Sequence, residues 1–200
     1  NGARCLAYYV SQDKKKLGSF NIETMAGLLK AQVTKQSVKI NMTGPNSIKL
    51  NLSIKINGRN MSLNFVNTGV PHAVIFCDPI ESIDVHSLGR LIRFHSKFSP
   101  AGTNVNFIEP VGPNSIKIRT YERGVEGETL ACGTGSVAAA IIYALKLKSS
   151  GLLKEDEVSV DVITASGEVL KVCFDIVKNK VKNVWLNGKA NLVYKGECHV

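Results

Sequence analysis

Apolar and polar residues alternate along most of this chain, which is the period of strands that bury one face. The runs that predict strands are "SVKINM" (37–42), "SIKLNLSIKING" (47–58), "MSLNFVNTG" (61–69), "HAVIFCD" (72–78), "NSIKIRTYERG" (114–124), "EVSVDVIT" (157–164), "EVLKVCFDIV" (168–177) and "KNVWLNG" (182–188). Two segments depart from that period and predict helices opening from glycine-bearing turns, "NGARCLAYYVSQDKKK" (1–16) and "CGTGSVAAAIIYALKLKSSG" (132–151); "DVHSLGRLIRFH" (84–95) predicts a third. The second is apolar on every side from Val137 to Leu145, so it belongs in an interior, wrapped by strands. Lys146, Lys148 and Gly151 supply its basic last turn and glycine stop.

The pattern also repeats. "NGARCLAYYV" (1–10) aligns with "TGSVAAAIIY" (134–143), "TMAGLLK" (24–30) with "TASGEVL" (164–170), and "NMTG" (41–44) with "WLNG" (185–188). Each match alone is weak, but three in the same order predict two copies of one helix-and-strands unit.

Composition narrows the class. With 200 residues, 44% hydrophobic and 20% charged, the chain can build one sizeable core or two small ones. No apolar stretch approaches the roughly 18–20 residues of a membrane helix. The first residues carry their charges after the apolar segment, the reverse of a secretory signal, so the expectation is a cytoplasmic protein with no membrane partner. The net charge of +9 comes from scattered lysines with few aromatics among them, which predicts a solvated basic surface and no nucleic-acid partner. Cys5, Cys77, Cys132, Cys173 and Cys198 are odd in number and contain no C-x-x-C pair, so free thiols are expected rather than a disulfide framework or a metal site.

One of these thiols stands where chemistry is expected. Cys132 opens the buried helix, where the positive end of the helix dipole favours thiolate and lowers the thiol pKa. Gly133 and Gly135 leave backbone N–H groups uncovered, a cradle for a carboxylate. A thiolate beside such a cradle suits removal of a proton from the carbon next to a carboxylate. Upstream, Glu122 and Arg123 offer one group for an ammonium and one for a second carboxylate, although a Glu-Arg pair by itself reads as a surface ion pair. Two rival patterns carry less. "GTGSVA" (133–138) fits a dinucleotide fingerprint but does not follow directly on a strand. Cys132 with His72 fits a cysteine hydrolase, without any sign of the oxyanion and substrate-groove features that chemistry needs.

"NGARC" (1–5), "NTGVPHAVIF" (67–76), "GTNVNF" (102–107) and "TYERGVEGETLACGTGSVAAA" (120–140) together resemble the diaminopimelate epimerase family over nearly the whole chain. The resemblance implies an α+β fold of two pseudo-symmetric domains, each of strands wrapped around a central helix. It also implies interconversion of LL- and meso-diaminopimelate in lysine and peptidoglycan precursor synthesis, by two cysteines on opposite faces of the α-carbon, with no pyridoxal phosphate or metal. Carried over by position, Cys132 is the catalytic cysteine of the second domain, and Gly133 and Thr134 bind the α-carboxylate. Glu122 contacts the α-amino group, Arg123 and Asn104 the distal end, and His72 with Glu122 tunes the thiols. Asn1 and Gly2 are substrate-binding residues at the tail of the first-domain motif, which makes Cys5 its structural cysteine. The catalytic cysteine that precedes that tail in the family is absent from these residues. The expectation is therefore a first domain represented by 1–41 and 189–200, a second domain at 42–188, and activity that is lost or very low. Val70 stands where many members have an asparagine, which leaves a racemase of another amino acid open beside a non-catalytic homologue. The resemblance leaves room for a homodimer.

Overall fold

The alternating runs become strands and the glycine-led segments become helices in the computed structural model, which describes residues 1–13, 17–25, 27–35, 37–178, 180–194 and 196. The predicted helices are α1 (Gly2–Asp13), α2 (Val85–Arg93) and α3 (Gly133–Ser149). The predicted strands are β3 (Val38–Asn41), β4 (Asn46–Ile56), β5 (Arg59–Asn67), β6 (Pro71–Phe76), β8 (Ser115–Glu122), β10 (Glu157–Ile163), β11 (Val169–Val177) and β12 (Lys180–Gly188). Periodicity did not pick out β1 (Gly18–Thr24), β2 (Gly27–Val33), β7 (Asn104–Gly112) or β9 (Gly127–Thr129). The first two are mostly exposed and mark no buried face, β7 begins with an unbroken buried run and so has no alternation to detect, and β9 is a short edge strand. The end of the first predicted helix, residues 14–16, lies outside the described residues, as does Cys198.

The strands form one sheet in the order β1-β2-β3-β12-β11-β10-β8-β7-β6-β5-β4, with β9 on β8. Among the described residues, only β6 with β7 and β8 with β10 run parallel. The sheet curls around α3, which packs on β5, β6, β7, β8, β10, β11 and β12, and its residues from Gly135 to Ala144 are buried. The expected enclosed helix is thus found. In contrast, α1 packs on β1, β2 and β3, leaving Leu6 and Tyr9 exposed on its outer side.

The sequence repeat has a structural counterpart. In each copy a helix precedes an antiparallel hairpin and then a single strand, α1-β1-β2-β3 and α3-β10-β11-β12. The matched glycines Gly27 and Gly167, which lie between the paired strands of the two hairpins or at their edge, both have positive φ (105° and 81°). The final strands, β3 and β12, pair antiparallel, with Asn41 opposite Trp185, the residue it matches in the repeat. An antiparallel pair has a local twofold at its centre, so the axis relating the two units passes through this pair.

What positions the site is a change of polarity along one sheet face. Val74, Ile108, Ile116 and Ile118 point at the body of α3 and join the main core. Continuing by steps of two along the same strands, the inward positions become His72, Asn106, Asn104, Thr120 and Glu122. The opposite face carries Ala73, Ile75, Val105, Phe107 and Tyr121, a second apolar cluster covered by α2. Polar side chains on a buried face must be satisfied or used, and these lie at the N-terminal end of α3.

Candidate active site

Cys132 is the N-cap residue of α3, with extended backbone (φ −124°, ψ 111°) that turns directly into the helix. Its carbonyl accepts the first helical bond from Ser136 N–H at 2.8 Å and a second from Ser136 Oγ at 3.0 Å, which fixes the turn under the thiol. Glycine at 135 is required by close approach. A Cβ there would lie 2.5 Å from Asn106 Oδ1 and 3.2 Å from Cys132 Sγ.

The thiol opens on a cleft of about 250 Å³ at the seam between the two units. Both helix N-termini reach it: Asn1, Ala3 and Arg4 from one side, Cys132, Gly133 and Thr134 from the other. Glu122 completes the polar lining, while Leu29, Ile40, Met42 and Leu186 make the apolar part. The Glu122 carboxylate is held by Thr129 Oγ1, which donates to Oε2 at 2.8 Å, and Thr134 is tied down by Thr68 Oγ1 donating to its carbonyl at 3.2 Å. Asn1 Oδ1 accepts from Arg4 Nη2 at 2.7 Å.

Of the residues singled out from the sequence, Asn1, Glu122, Cys132, Gly133 and Thr134 meet at this cleft, whereas Gly2, His72, Asn104 and Arg123 do not line it. The last three form a supporting layer. Asn104 accepts from the Arg123 backbone N–H through Oδ1 (2.8 Å) and donates through Nδ2 to the Pro71 carbonyl (3.1 Å). Arg123 Nη1 donates to the Ala101 carbonyl at 3.1 Å. His72 is fully buried, and burial first, then the Arg123 charge, hold its pKa down at about 3, so it is a neutral imidazole. Asn106, Thr120, Thr129, Thr68 and Arg4 were not singled out. For Asn106 the signal was present: it stands two residues after Asn104 in "TNVNF", hence on the same face of a strand.

The expected lowering of the Cys132 pKa is corrected by the structure. Burial pushes the thiol up and Glu122 adds to this, outweighing the pull of the Thr134 hydroxyl and Gly135 N–H. Alkylation by iodoacetamide at neutral pH should therefore be faster at exposed Cys5 than at buried Cys132, with Cys77, whose pKa burial raises to about 11, also slow. Peptide mapping over a time course checks this order, and the Cys132 rate should climb with pH beyond the range where an ordinary thiol has levelled off.

Solved structures share this fold. A hydroxyproline epimerase from Agrobacterium vitis superposes with a TM-score of 0.70 at 16% identity, over 94% of this chain and 62% of that one. A PhzC/PhzF-type phenazine biosynthesis protein from Clostridium difficile gives 0.60 at 12% identity, over 98% of this chain and 71% of that one. The α+β architecture is thus that of the epimerase and PhzF-like isomerases. The family model described as Diaminopimelate epimerase matches residues 64–193. The diaminopimelate epimerase of Aquifex aeolicus is 42% identical over 198 residues, 98% of this chain and 67% of the relative. That of Methanocella arvoryzae is 37% identical over 214 residues, covering all of this chain and 71% of the relative. The chain belongs to the diaminopimelate epimerase family, a family of isomerases, and spans about two thirds of the length of these relatives.

Proposed function

We propose that this chain provides one half of a two-thiol epimerisation site for diaminopimelate, with Cys132 as the acid–base group on one face of the α-carbon. The observation that carries this reading is the seam cleft, where two helix N-termini related by the Asn41–Trp185 twofold face each other and one of them is capped by a thiol. The uncovered N–H groups of Gly133 and Thr134 suit the α-carboxylate, and the held carboxylate of Glu122 suits the α-ammonium. A substrate carboxylate drawn to the helix end neutralises charge there, while the ammonium beside Glu122 lowers the cost of the Cys132 thiolate. Burial and Glu122 hold the thiol pKa up, and an ammonium beside Glu122 offsets the second of these, favouring ionisation of Cys132 with substrate bound. Residues 1–41 with 189–200 read as belonging to one domain and 42–188 to the other; α1 and β1–β3 have their own apolar cluster, against which Ala190 packs.

Inversion needs an acid and a base on opposite faces, and among the described residues Cys132 is the cysteine that lines the cleft. By the repeat, the partner of Cys132 belongs two positions ahead of Asn1. Residues 1–200 by themselves are therefore expected to interconvert the LL and meso isomers slower by roughly 10²–10⁴-fold than a form extended upstream through a Cys-Gly pair. The test is incubation of both forms with each isomer in deuterated water, following isomer conversion and deuterium at the α-carbon; equal rates would overturn the two-thiol reading. A racemase of another amino acid is the second reading, favoured by the half-buried apolar Val70 between β5 and β6. Turnover of a monocarboxylic amino acid in preference to diaminopimelate by the extended form would select it.

A further inference from the structure

Asn106 is a fully buried amide beneath the first turn of α3, and its hydrogen bonds leave little freedom. Nδ2 donates to the Ala73 carbonyl at 3.1 Å and stands 3.1 Å from His72 Nδ1, while Oδ1 accepts from Thr120 Oγ1 at 3.1 Å. A carbonyl oxygen can only accept, so the Ala73 carbonyl fixes which end of the amide is nitrogen. The same NH₂ group then faces His72 Nδ1, which must be the bare, accepting nitrogen. A flipped amide would set Oδ1 against the Ala73 oxygen, and a proton on Nδ1 would set two donors against each other. Gly135 presses on this arrangement from above, since even a Cβ there would collide with Asn106 Oδ1. The imidazole proton is left on Nε2, which is buried and has no hydrogen-bond partner among the described residues.

We propose that Asn106 is a positioning residue that locks His72 as the neutral Nε2–H tautomer, so that His72, from its place behind the cleft, is a hydrogen-bond donor rather than a base. The donor is unspent, and leaving a buried N–H unmet is unfavourable, so it favours an acceptor such as a carboxylate or thiolate brought near it. The same lock works against the cysteine-hydrolase arrangement, because an imidazole that must take a thiol's proton cannot already hold one on the nitrogen it offers. Among the described residues no titratable side chain is hydrogen-bonded to the His72 ring; Arg123 acts on it through its charge.

The inference is independent of the second thiol and is read spectroscopically on the 200-residue chain. With histidine labelled in the ring nitrogens, long-range proton–nitrogen correlation at pH 7 should give His72 a pyridine-like Nδ1 and a pyrrole-like Nε2, the signals being assigned with His72→Gln. In Asn106→Asp a carboxylate replaces the amide and accepts from Nδ1–H. The ring should change to the Nδ1–H tautomer or the imidazolium, and its titration should move up by roughly two pH units or more. If that variant does not fold, Asn106→Ala removes the lock, and signals of both tautomers should appear. An Nδ1–H tautomer in the unaltered chain, or an unchanged Nε2–H tautomer in either folded variant, overturns the proposal. Failure of the two-thiol reading would instead appear in the deuterium experiment and leave these spectra untouched.

Discussion

Cys132→Ala, made in the form extended upstream through a second thiol, is expected to lower kcat for interconversion of the LL and meso isomers by at least roughly 10³-fold, while KM changes by less than about tenfold. The split follows from the cleft. In the proposed binding mode the carboxylate rests on backbone N–H groups at Gly133 and Thr134 and the ammonium on Glu122, all of which line the cleft with Cys132, and alanine at the cap leaves them in place. Removing the Sγ takes away one acid–base group and few substrate contacts. Steady-state assays from both isomers check it. The exchange pattern should change as well: one surviving acid–base group can exchange the α-proton of the isomer presented to it without inverting the centre, so deuterium should enter one isomer ahead of any conversion. A fall of less than tenfold would mean that Cys132 is not the acid–base group of this face.

The second large effect is on stability, and it comes from His72. Its pKa is held at about 3 in the folded chain against 6.5 when free, because a buried imidazolium is poorly solvated and faces Arg123. Here the folded value lies below the unfolded one, so the unfolded chain binds the extra proton. The contribution is fully present above pH 6.5 and is lost as pH falls from there toward 3. The slope is about 1.4 kcal/mol per pH unit, on the order of 5 kcal/mol across the window if no other group intervenes. Urea midpoints at steps from pH 7.5 to 4 should show this fall, and His72→Gln, which keeps an acceptor for Asn106 but cannot ionise, should flatten it. Asp84, Glu81 and Glu126 have lowered pKa values too, but they are exposed or nearly so and add little. A profile that His72→Gln leaves unchanged would place the acid sensitivity elsewhere.

Much of this molecule was written into its residue pattern. Alternation located β3–β5, β8 and β10–β12, the short apolar run of β6, buried on both faces, located that strand, and the all-apolar stretch Val137–Leu145 announced a helix enclosed by strands because only an enclosed helix has no side to keep polar. The weak repeat placed Asn41 against Trp185, and the sheet pairs those two residues. Cys132, Glu122, Gly133, Thr134 and Asn1 were legible as site residues and do meet at one cleft. Tertiary structure alone decided the rest. Whether Cys132 is readily ionised depends on the balance between a local helix terminus, visible in sequence, and burial by distant strands, which is not; burial wins. Whether His72, Asn104 and Arg123 line the cleft or support it depends on where strand ends lie relative to the mouth, a matter of register between β6, β7 and β8. The local mark of Asn106 was only its place two residues after Asn104, on the same strand face. Its role exists because parallel pairing sets β7 beside β6, so that one amide meets the Ala73 carbonyl, the His72 ring and the first turn of α3, groups far apart along the chain and joined only by folding.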